Sequence, residues 1–452
     1  MLHYFGTDGF RGEAGKTLTA SQAFRIGRFL GHYYQKGGNR VRVVVGKDTR
    51  RSSYMLEYAL ASGLCASGAD VYRLHVISTP CVCHATQDGE FDCGVMISAS
   101  HNPFFDNGIK IINARGEKME DEVLAKIEEY LDRDGDDLPL VTGSEIGSVF
   151  DYSEGRRHYV EHLLSLAKHS FAGLHIGLDC ANGSAWEIAR EVFEALGAQI
   201  HTIGTTPDGI NINKDVGSTH IEALSALVRQ HHLDAGFAFD GDADRCLAVD
   251  EQGRVITGDH ILYIFAADWQ RRGMLSGNTV VSTVMSNMGL YRALDEAGIR
   301  HVETPVGDKH VYDCMVKEGY SLGGEQSGHI ILGQYATTGD GLLTATQLAK
   351  VMTSRRLPLS RLAGAVRLYP QVLRNLPVSD QEAVLRNPTV RKAVEQATVS
   401  LGQQGRILLR KSGTEPVVRV MVEAEREEWC RHWADHICET IRAQGFLCER
   451  GR

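Results

Sequence analysis

The sequence predicts an α/β protein of four domains around a central cleft: three α/β domains with mixed, largely parallel sheets, and a C-terminal α+β domain. Its 452 residues are several times what one hydrophobic core supports, so three or four domains are expected. Short β-rich runs alternate with amphipathic stretches, which is typical of α/β units with parallel strands. After Tyr369-Pro370 the order changes to a strand, a helix, two strands and a final helix.

These changes of order predict boundaries near residues 153, 254 and 367, and hence domains 1–153, 154–254, 255–367 and 368–452. The predicted α/β strands are 41–45, 93–97, 175–179, 235–239, 279–284 and 320–324, and the predicted helices are 54–66, 186–196 and 290–297. In the last domain we expect strands at 372–378, 406–409 and 417–423, with a helix beginning near Gln381.

The charge composition favours some classes of binding partner over others. There are 48 Lys and Arg against 57 Asp and Glu, the formal net charge is -9, and no basic tract occurs. Nucleic-acid and acidic-membrane binding are therefore not expected, and a small-molecule partner is favoured. No targeting sequence and no apolar run of about 18 residues is evident, which predicts a cytoplasmic protein. The sequence is compatible with a homodimer.

The ten cysteines predict buried thiols and no disulfides, because several lie inside apolar runs. The cluster Cys81-Val82-Cys83-His84 has side chains that can bind metals, but no second ligand pair follows at the spacing of a zinc site. We interpret it as a buried stretch at the start of a helix.

Ligands of open α/β sheets bind beyond the carboxyl ends of strands. Each predicted α/β domain has one unusual polar loop at such a position, and the last domain has another between two strands. The four loops are therefore expected to converge on one cleft.

The carboxylate loop (residues 240–245) reads Asp240-Gly241-Asp242-Ala243-Asp244-Arg245. Three crowded carboxylates repel one another unless a cation lies between them, and their oxygens suit Mg²⁺. An EF-hand is disfavoured because arginine occupies the position that requires glycine. Arg245, at the end of the loop, would then be able to contact a phosphoryl group bound near the cation.

The serine loop (residues 98–103) begins where a predicted strand ends and contains Ser100 and His101, with Lys110 shortly after it. A hydroxyl beside an imidazole and a lysine fits an activated nucleophile, or a serine that already carries a phosphoryl group. The Gly-x-Ser-x-Gly elbow of acyl transfer is absent. Ser98 is the second candidate for the reacting hydroxyl.

The sugar loop (residues 325–329) offers Glu325, Ser327 and His329 beside two glycines, a set suited to the hydroxyl groups of a sugar. The phosphate loop (residues 410–416), with Arg419 beyond it, combines cations, hydroxyls and exposed N–H groups, the ingredients of a phosphate site. It lacks the ending of a nucleotide P-loop, so ATP is not implied.

These loops, together with Tyr4-Phe5-Gly6-Thr7-Asp8-Gly9-Phe10-Arg11-Gly12, resemble the motifs of the α-D-phosphohexomutase superfamily, in order and over nearly the whole chain. The resemblance implies that Ser100 is a phosphoserine and that Ser100, Asp240, Asp242 and Asp244 bind one Mg²⁺. It implies that Arg11, His101, Lys110 and Arg245 surround the reacting phosphoryl group. Sugar contacts would come from Glu325, Ser327 and His329, and far-phosphate contacts from Arg410, Ser412, Gly413, Thr414 and Arg419.

Within the superfamily, the runs 216–220 and 283–289 and the Glu325-Gln326-Ser327 form of the sugar loop are similar to the glucosamine-type enzymes. The chain departs from the family at Lys309, where arginine is frequent, and lysine cannot make a bidentate contact. The resemblance implies interconversion of glucosamine 6-phosphate and glucosamine 1-phosphate through a 1,6-bisphosphate, for UDP-N-acetylglucosamine synthesis, with glucosamine or glucose 1,6-bisphosphate as activator. The alternatives are a phosphomannomutase/phosphoglucomutase, a phosphatase with an aspartate nucleophile, and a phosphosugar-binding protein without activity.

Overall fold

The computed structural model describes residues 2–6, 8–35, 40–168, 170–412 and 416–448. It divides into two compact units. The first comprises Met1–Ser286 and Ala297–Ala365, and the second comprises Asn287–Glu296 and Val366–Arg452. No helix in the described part of the chain is both long and apolar enough to cross a membrane.

The N-terminal part of the first unit forms a seven-stranded sheet with helices packed against it. Its strands are β1 (Phe5–Gly6), β2 (Gly9–Glu13), β3 (Arg42–Lys47), β4 (Asp70–Val76), β5 (Cys93–Ile97), β6 (Asp106–Asn113) and β7 (Val149–Asp151). Its helices are α1 (Ala20–Tyr33), α2 (Arg51–Ala66), α3 (Thr79–Asp88), α4 (Asp121–Leu131) and α5 (Ser153–Ala167). The strand order is β1-β2-β6-β5-β3-β4-β7. The strands β5, β3, β4 and β7 run parallel. The central strands β5 and β3 are nearly continuous buried apolar runs, because helices cover their faces, whereas β7 at the edge of the sheet is exposed.

Two smaller α/β sheets follow in the same unit. The second sheet contains β8 (His175–Asp179), β9 (Gln199–Ile203), β10 (Ala235–Phe239), β11 (Cys246–Asp250) and β12 (Val255–Ile256), with helices α6 (Ile188–Ala195) and α7 (Glu222–His231). The third contains β13 (Thr279–Thr283), β14 (Arg300–Thr304), β15 (Leu322–Gly324) and β16 (Ile330–Leu332), with helices α8 (Gly258–Arg271), α9 (Met288–Glu296), α10 (Asp308–Glu318), α11 (Gly341–Arg355) and α12 (Leu359–Leu362). Their strand orders are β12-β11-β10-β8-β9 and β14-β13-β15-β16. Of these elements, α9 belongs to the second unit.

The second unit is built on three antiparallel strands, β17 (Gln371–Pro377), β18 (Gly405–Lys411) and β19 (Val417–Ala424), in the order β17-β19-β18. Its other helices are α13 (Gln381–Arg386), α14 (Pro388–Leu401) and α15 (Glu427–Ala443). The predicted helix does begin at Gln381, but it ends at Arg386 and a second helix follows. Asn387 caps a new helix by accepting from the N–H groups of Thr389 and Val390, and Pro388 cannot continue the preceding one because it has no N–H.

The prediction of three α/β domains followed by an α+β domain is confirmed, and the three α/β sheets share a feature that the sequence did not reveal. In each, the outermost strand of the parallel group leads into a polar loop, and the chain then returns antiparallel beside that strand. The serine loop joins β5 to β6, the carboxylate loop joins β10 to β11, and the sugar loop joins β15 to β16. The hairpin of β18 and β19 carries the phosphate loop in the second unit.

Candidate active site

Ser100 lies just beyond the end of β5 and is only 1% exposed. Its backbone has a φ of 53°, a left-handed conformation that non-glycine residues rarely adopt. The Ser100 Oγ donates a hydrogen bond to Asp240 Oδ2, and His101 Nδ1 lies 3.4 Å from the same hydroxyl. The loops after β5 and β10 therefore meet at this hydroxyl, although 140 residues separate their interacting side chains.

Ser98, the second candidate for the reacting hydroxyl, has a different environment. It is fully buried, and its Oγ accepts a hydrogen bond of 2.9 Å from the Ser100 N–H. Arg50 Nη1 lies 3.5 Å from the same oxygen. This geometry supports Ser98 as a residue that orients Ser100, and it favours Ser100 as the reacting one.

The three aspartates of the carboxylate loop are buried, and one oxygen from each lies within 4.8 Å of the others. Asp242 Oδ1 and Asp244 Oδ1 are buried without a hydrogen-bond partner. Buried carboxylate oxygens are costly unless a proton or a cation satisfies them, so the residues fit a hard divalent cation. Glycine is required at position 241, because a Cβ there would lie 2.5 Å from the Ser100 carbonyl oxygen.

The Oδ2 atoms of Asp242 and Asp244 are held by residues of the first α/β domain, which carries the serine loop. Lys110 Nζ on β6 lies 2.6 Å from Asp242 Oδ2 and 3.2 Å from Asp244 Oδ2. The Thr79 hydroxyl, at the start of α3, also donates to Asp242 Oδ2, and the Thr79 N–H donates to the Asp242 carbonyl at 2.9 Å. These contacts leave the Oδ1 atoms of Asp242 and Asp244 available for a ligand, whereas Asp240 Oδ1 accepts from the Arg245 N–H at 3.2 Å.

The crowding of like charges changes the pKa values of the carboxylate loop and of Lys110. Burial, together with the Asp244 and Asp242 carboxylates, raises the pKa of Asp240 to about 8. Burial opposes ionisation of Asp244 as well, but the Lys110 ammonium holds the pKa of Asp244 well below its usual range. Although burial opposes it, Asp242 and Asp244 hold the pKa of Lys110 above its ordinary value. Three buried carboxylates thus crowd one another in this loop, which is the electrostatic setting of a cation site.

Cationic and imidazole groups lie around Ser100. Burial, and then Arg245, lower the pKa of His101 to about 4, so its ring is neutral near pH 7. Arg11 on β2 lies 3.3 Å from Asp8 and acts on the pKa values of both His101 and Lys110. Arg245 Nε is buried without a hydrogen-bond partner, as is Arg11 Nε. Two buried guanidinium N–H groups beside the serine are suited to an anion such as a phosphoryl group.

The sugar loop borders the same region. His329 is buried, with Nδ1 3.8 Å from Asp244 and Nε2 3.3 Å from Asp308. Although burial opposes it, these two carboxylates raise the pKa of His329 to about 8. Glu325 Oε1 accepts from the Gly307 N–H at 3.1 Å, while Ser327 is exposed.

In the second unit, Arg410 and Arg419 face each other in the register of β18 and β19. Burial and the Arg419 cation lower the pKa of Arg410, and Arg410 Nε is buried without a hydrogen-bond partner. Two adjacent cations repel each other, which an anion would relieve. Ser412 is buried, with its N–H donating to the Val417 carbonyl at 3.0 Å; Gly413 and Thr414 lie outside the described residues.

Several residues of the site were missed by sequence reasoning. They are Asp8, Arg50, Thr79, Lys118, Asn213 and Asp308. Lys118 joins Asp8 to Asp308, with its Nζ at 3.1 and 2.6 Å from their carboxylates. Arg50 and Thr79 follow shortly after β3 and β4, so the rule that ligands lie beyond strand ends could have found them. No local pattern marks Asn213.

Comparison with known proteins gives a consistent result along the chain. Family models described as Phosphoglucomutase/phosphomannomutase alpha/beta/alpha domains I, II and III and C-terminal domain match residues 2–137, 157–253, 257–369 and 373–440. A phosphoglucosamine mutase of Lachnospira eligens is 56% identical over 448 residues, which cover 99% of this chain and 100% of the relative. A phosphoglucosamine mutase of Bacillus cereus is 49% identical over 444 residues, covering 98% and 99%.

Solved structures show the same fold. A phosphoglucomutase/phosphomannomutase family protein from Burkholderia thailandensis is similar with a TM-score of 0.78 and 26% identity over 98% of both chains. The N-acetylphosphoglucosamine mutase of Aspergillus fumigatus, in complex with GlcNAc-6P and magnesium, has a TM-score of 0.69 at 17% identity over 98% of this chain and 96% of that one.

Proposed function

The chain belongs to the phosphoglucomutase/phosphomannomutase family, and we propose that it interconverts glucosamine 6-phosphate and glucosamine 1-phosphate. The proposed substrate rests on relatives that are 49–56% identical over nearly the whole chain and are phosphoglucosamine mutases. The observation that carries the proposed mechanism is the hydrogen bond from the Ser100 hydroxyl to the carboxylate loop.

In the proposed reaction Ser100 carries the phosphoryl group between turnovers. A free hydroxyl of the sugar phosphate attacks the phosphorus, the new P–O bond forms, and the bond from phosphorus to Ser100 Oγ breaks. The sugar hydroxyl loses its proton, and Ser100 Oγ regains one. The product of this half-reaction is a 1,6-bisphosphate, which then returns its other phosphoryl group to Ser100 by the same step in reverse.

Asp240, Asp242 and Asp244 are the residues that would hold Mg²⁺, together with the phosphate on Ser100. When bound, the ion would neutralise charge on the transferring oxygens. The chain's own contribution is to hold Asp242 through Lys110 and the Thr79 hydroxyl, and Asp244 through Lys110.

Arg11 and Arg245 would donate to the phosphoryl oxygens through their buried N–H groups, and these contacts strengthen as charge develops on those oxygens. Proton transfer requires a group near Ser100, and His101 and Lys110 are the two candidates by position. Lys110 is engaged with two carboxylates, whereas His101 Nδ1 is 3.4 Å from the serine hydroxyl. That distance favours His101.

A single serine serves both ends of the sugar, so the bisphosphate must be accepted in two orientations. Glu325, Ser327 and His329 would bind the sugar hydroxyls, and Arg410, Ser412, Gly413, Thr414 and Arg419 would bind the phosphate that is not reacting. Glucosamine or glucose 1,6-bisphosphate would supply the first phosphoryl group and restore enzyme that has lost it.

A coupled assay of turnover on glucosamine, glucose and mannose 6-phosphates tests the proposal. We expect the highest kcat/KM on glucosamine 6-phosphate, with dependence on Mg²⁺ and on a trace of hexose 1,6-bisphosphate. Higher kcat/KM on the glucose or mannose ester would reassign the substrate within the family. Full activity of Ser100→Ala would reject the phosphoserine mechanism.

A further inference from the structure

We propose that Arg50 and Asn213 form a clamp that holds the backbone of the serine loop at the place where Ser100 can exchange its phosphoryl group. Both act as positioning residues, since their side chains bind carbonyl groups of the loop. The inference rests on the proposed function of Ser100 as the phosphoryl carrier. Neither residue belongs to the four polar loops in which the chemistry was expected.

Arg50 precedes α2 and is completely buried. Its Nη2 donates to the carbonyl of Ser100 at 3.1 Å and to the carbonyl of Asn102 at 2.5 Å. Its Nη1 is paired with Asp48, whose other oxygen accepts from the Arg50 N–H at 2.9 Å and from the Ser53 hydroxyl at 2.7 Å. The guanidinium is therefore fixed at one end and reaches the serine loop with the other.

Asn213 lies between β9 and α7, in the neighbouring domain, and is 6% exposed. Its Nδ2 donates to the same two carbonyls, at 2.9 Å for Ser100 and 3.1 Å for Asn102. This fixes the orientation of the amide, because a flipped amide would direct its oxygen at two carbonyl oxygens. The Asn213 N–H donates to the Ala181 carbonyl at 2.8 Å, which holds its own backbone.

The need for a clamp follows from the conformation of Ser100. A left-handed φ at a non-glycine residue is strained and persists only where surrounding contacts enforce it. The Ser98 Oγ holds the N–H of Ser100, and the clamp holds its carbonyl. With both ends of the residue fixed, the direction of its Cα–Cβ bond is set, and from there the hydroxyl reaches Asp240.

The clamp also joins two domains at the point of reaction. Arg50 comes from the domain of the serine loop, and Asn213 comes from the domain of the carboxylate loop. Both donate to the same carbonyls, so the clamp sets the position of Ser100 relative to the three aspartates. Displacement of a reacting group by about 1 Å can cost on the order of a hundredfold in rate, so loss of the clamp should lower the rate of transfer more than substrate binding.

The test uses Asn213→Asp, which keeps the shape of the side chain but replaces the donor with an oxygen facing two carbonyls. The matched control is Asn211→Asp, the same change two residues away. Asn211 bonds the Thr206 carbonyl at 2.9 Å and the Asp208 N–H at 3.0 Å within its own loop. Two quantities are measured on the full chain: the rate at which Ser100 gains phosphate from glucose 1,6-bisphosphate, by intact mass, and the split of kcat against KM.

We expect Asn213→Asp to lower both the rate of phosphate uptake and kcat by on the order of tenfold to a hundredfold, with KM within about twofold of wild type. Asn211→Asp should keep both rates within about twofold of wild type. The ³¹P resonance of phosphoserine should shift in Asn213→Asp only. Equal uptake rates in the two variants would overturn the clamp.

If Asn213→Asp lowers the melting temperature more than its control, Arg50→Lys decides. Lysine keeps the charge but cannot reach Asp48 and two carbonyls together, so reduced phosphate uptake is expected, and wild-type uptake would overturn the clamp. Phosphate uptake without turnover of glucosamine 6-phosphate in the wild type would reject the proposed substrate. The rates of phosphate uptake by Ser100 would still test the clamp in that case.

Discussion

The serine loop and the sugar loop occupy equivalent places in their sheets, but they are held very differently. Each loop joins the outermost strand of a parallel group to the antiparallel strand beside it. Ser100 is 1% exposed and has hydrogen bonds on its N–H, its carbonyl and its hydroxyl. Ser327, by contrast, lies exposed on its hairpin. The same topology thus places one serine in a fully bonded, buried position and the other at the surface.

The difference follows from what each loop is proposed to do. A nucleophile that is used in every turnover has one productive position, so fixing it in advance lowers the entropic cost of each transfer. A sugar that must be accepted in two orientations cannot have every contact fixed, because contacts made for one orientation would be lost in the other.

The largest effect is expected at Ser100. Ser100→Ala removes the phosphoryl carrier and should lower kcat by at least about a thousandfold, with no phosphate on the protein by intact mass. Ser98→Ala keeps the carrier but removes the acceptor of the Ser100 N–H, so a loss of on the order of tenfold is expected. A phosphopeptide map that located the phosphate on Ser98 would reverse these roles.

The next effect concerns the phosphate loop of the second unit. Arg410→Ala removes one of two adjacent guanidinium groups, and KM for glucosamine 6-phosphate should rise by on the order of tenfold. Phosphorylation of Ser100 by glucose 1,6-bisphosphate at saturating concentration should remain largely intact. Equal loss of substrate binding and of phosphorylation would contradict a role confined to the far phosphate.

An effect of similar size is expected at Thr79, which holds the carboxylate loop from the start of α3. Thr79→Val removes the hydroxyl that donates to Asp242 but retains the N–H that donates to the Asp242 carbonyl. Mg²⁺ affinity should fall about tenfold, as is typical when a partner of a metal ligand is lost. Isothermal titration with Mg²⁺ measures this, and Thr79→Ser, which keeps the hydroxyl, should bind as wild type does. Equal affinities of the valine and serine variants would remove Thr79 from the metal site.

Much of the framework could be predicted because it is encoded locally. The strands β5, β8 and β10 coincide residue for residue with the predicted ones, since each is an apolar run with polar residues at its end. The carboxylate loop could be predicted for a related reason: three aspartates at alternating positions concentrate charge that needs a cation.

The holding contacts could not be predicted because they join distant parts of the chain. Arg50 contacts Asn102 across 52 residues, and Asn213 contacts Ser100 across 113. Locally, Arg50 has the pattern of a helix start and Asn213 that of an ordinary turn. Both side chains bind backbone carbonyl groups, which every residue has. The sequence therefore contains no complementary side chain that would reveal these contacts. The rule that ligands lie beyond strand ends could have drawn attention to Arg50, but its partners, and Asn213 altogether, became visible only in the fold.

The smallest effect is expected at Ser327, where the comparison of the two loops is most direct. Ser327→Ala makes the same chemical change as Ser98→Ala, in the equivalent hairpin of another domain. Ser327 is exposed, so its replacement leaves no buried group unpaired, and kcat/KM for glucosamine 6-phosphate should fall only by about twofold to fivefold. The loss should be larger when the reaction starts from one sugar phosphate than from the other, because one hydroxyl cannot contact both orientations equally. A loss in Ser327→Ala as large as that in Ser98→Ala would mean that the sugar loop is as strictly positioned as the serine loop.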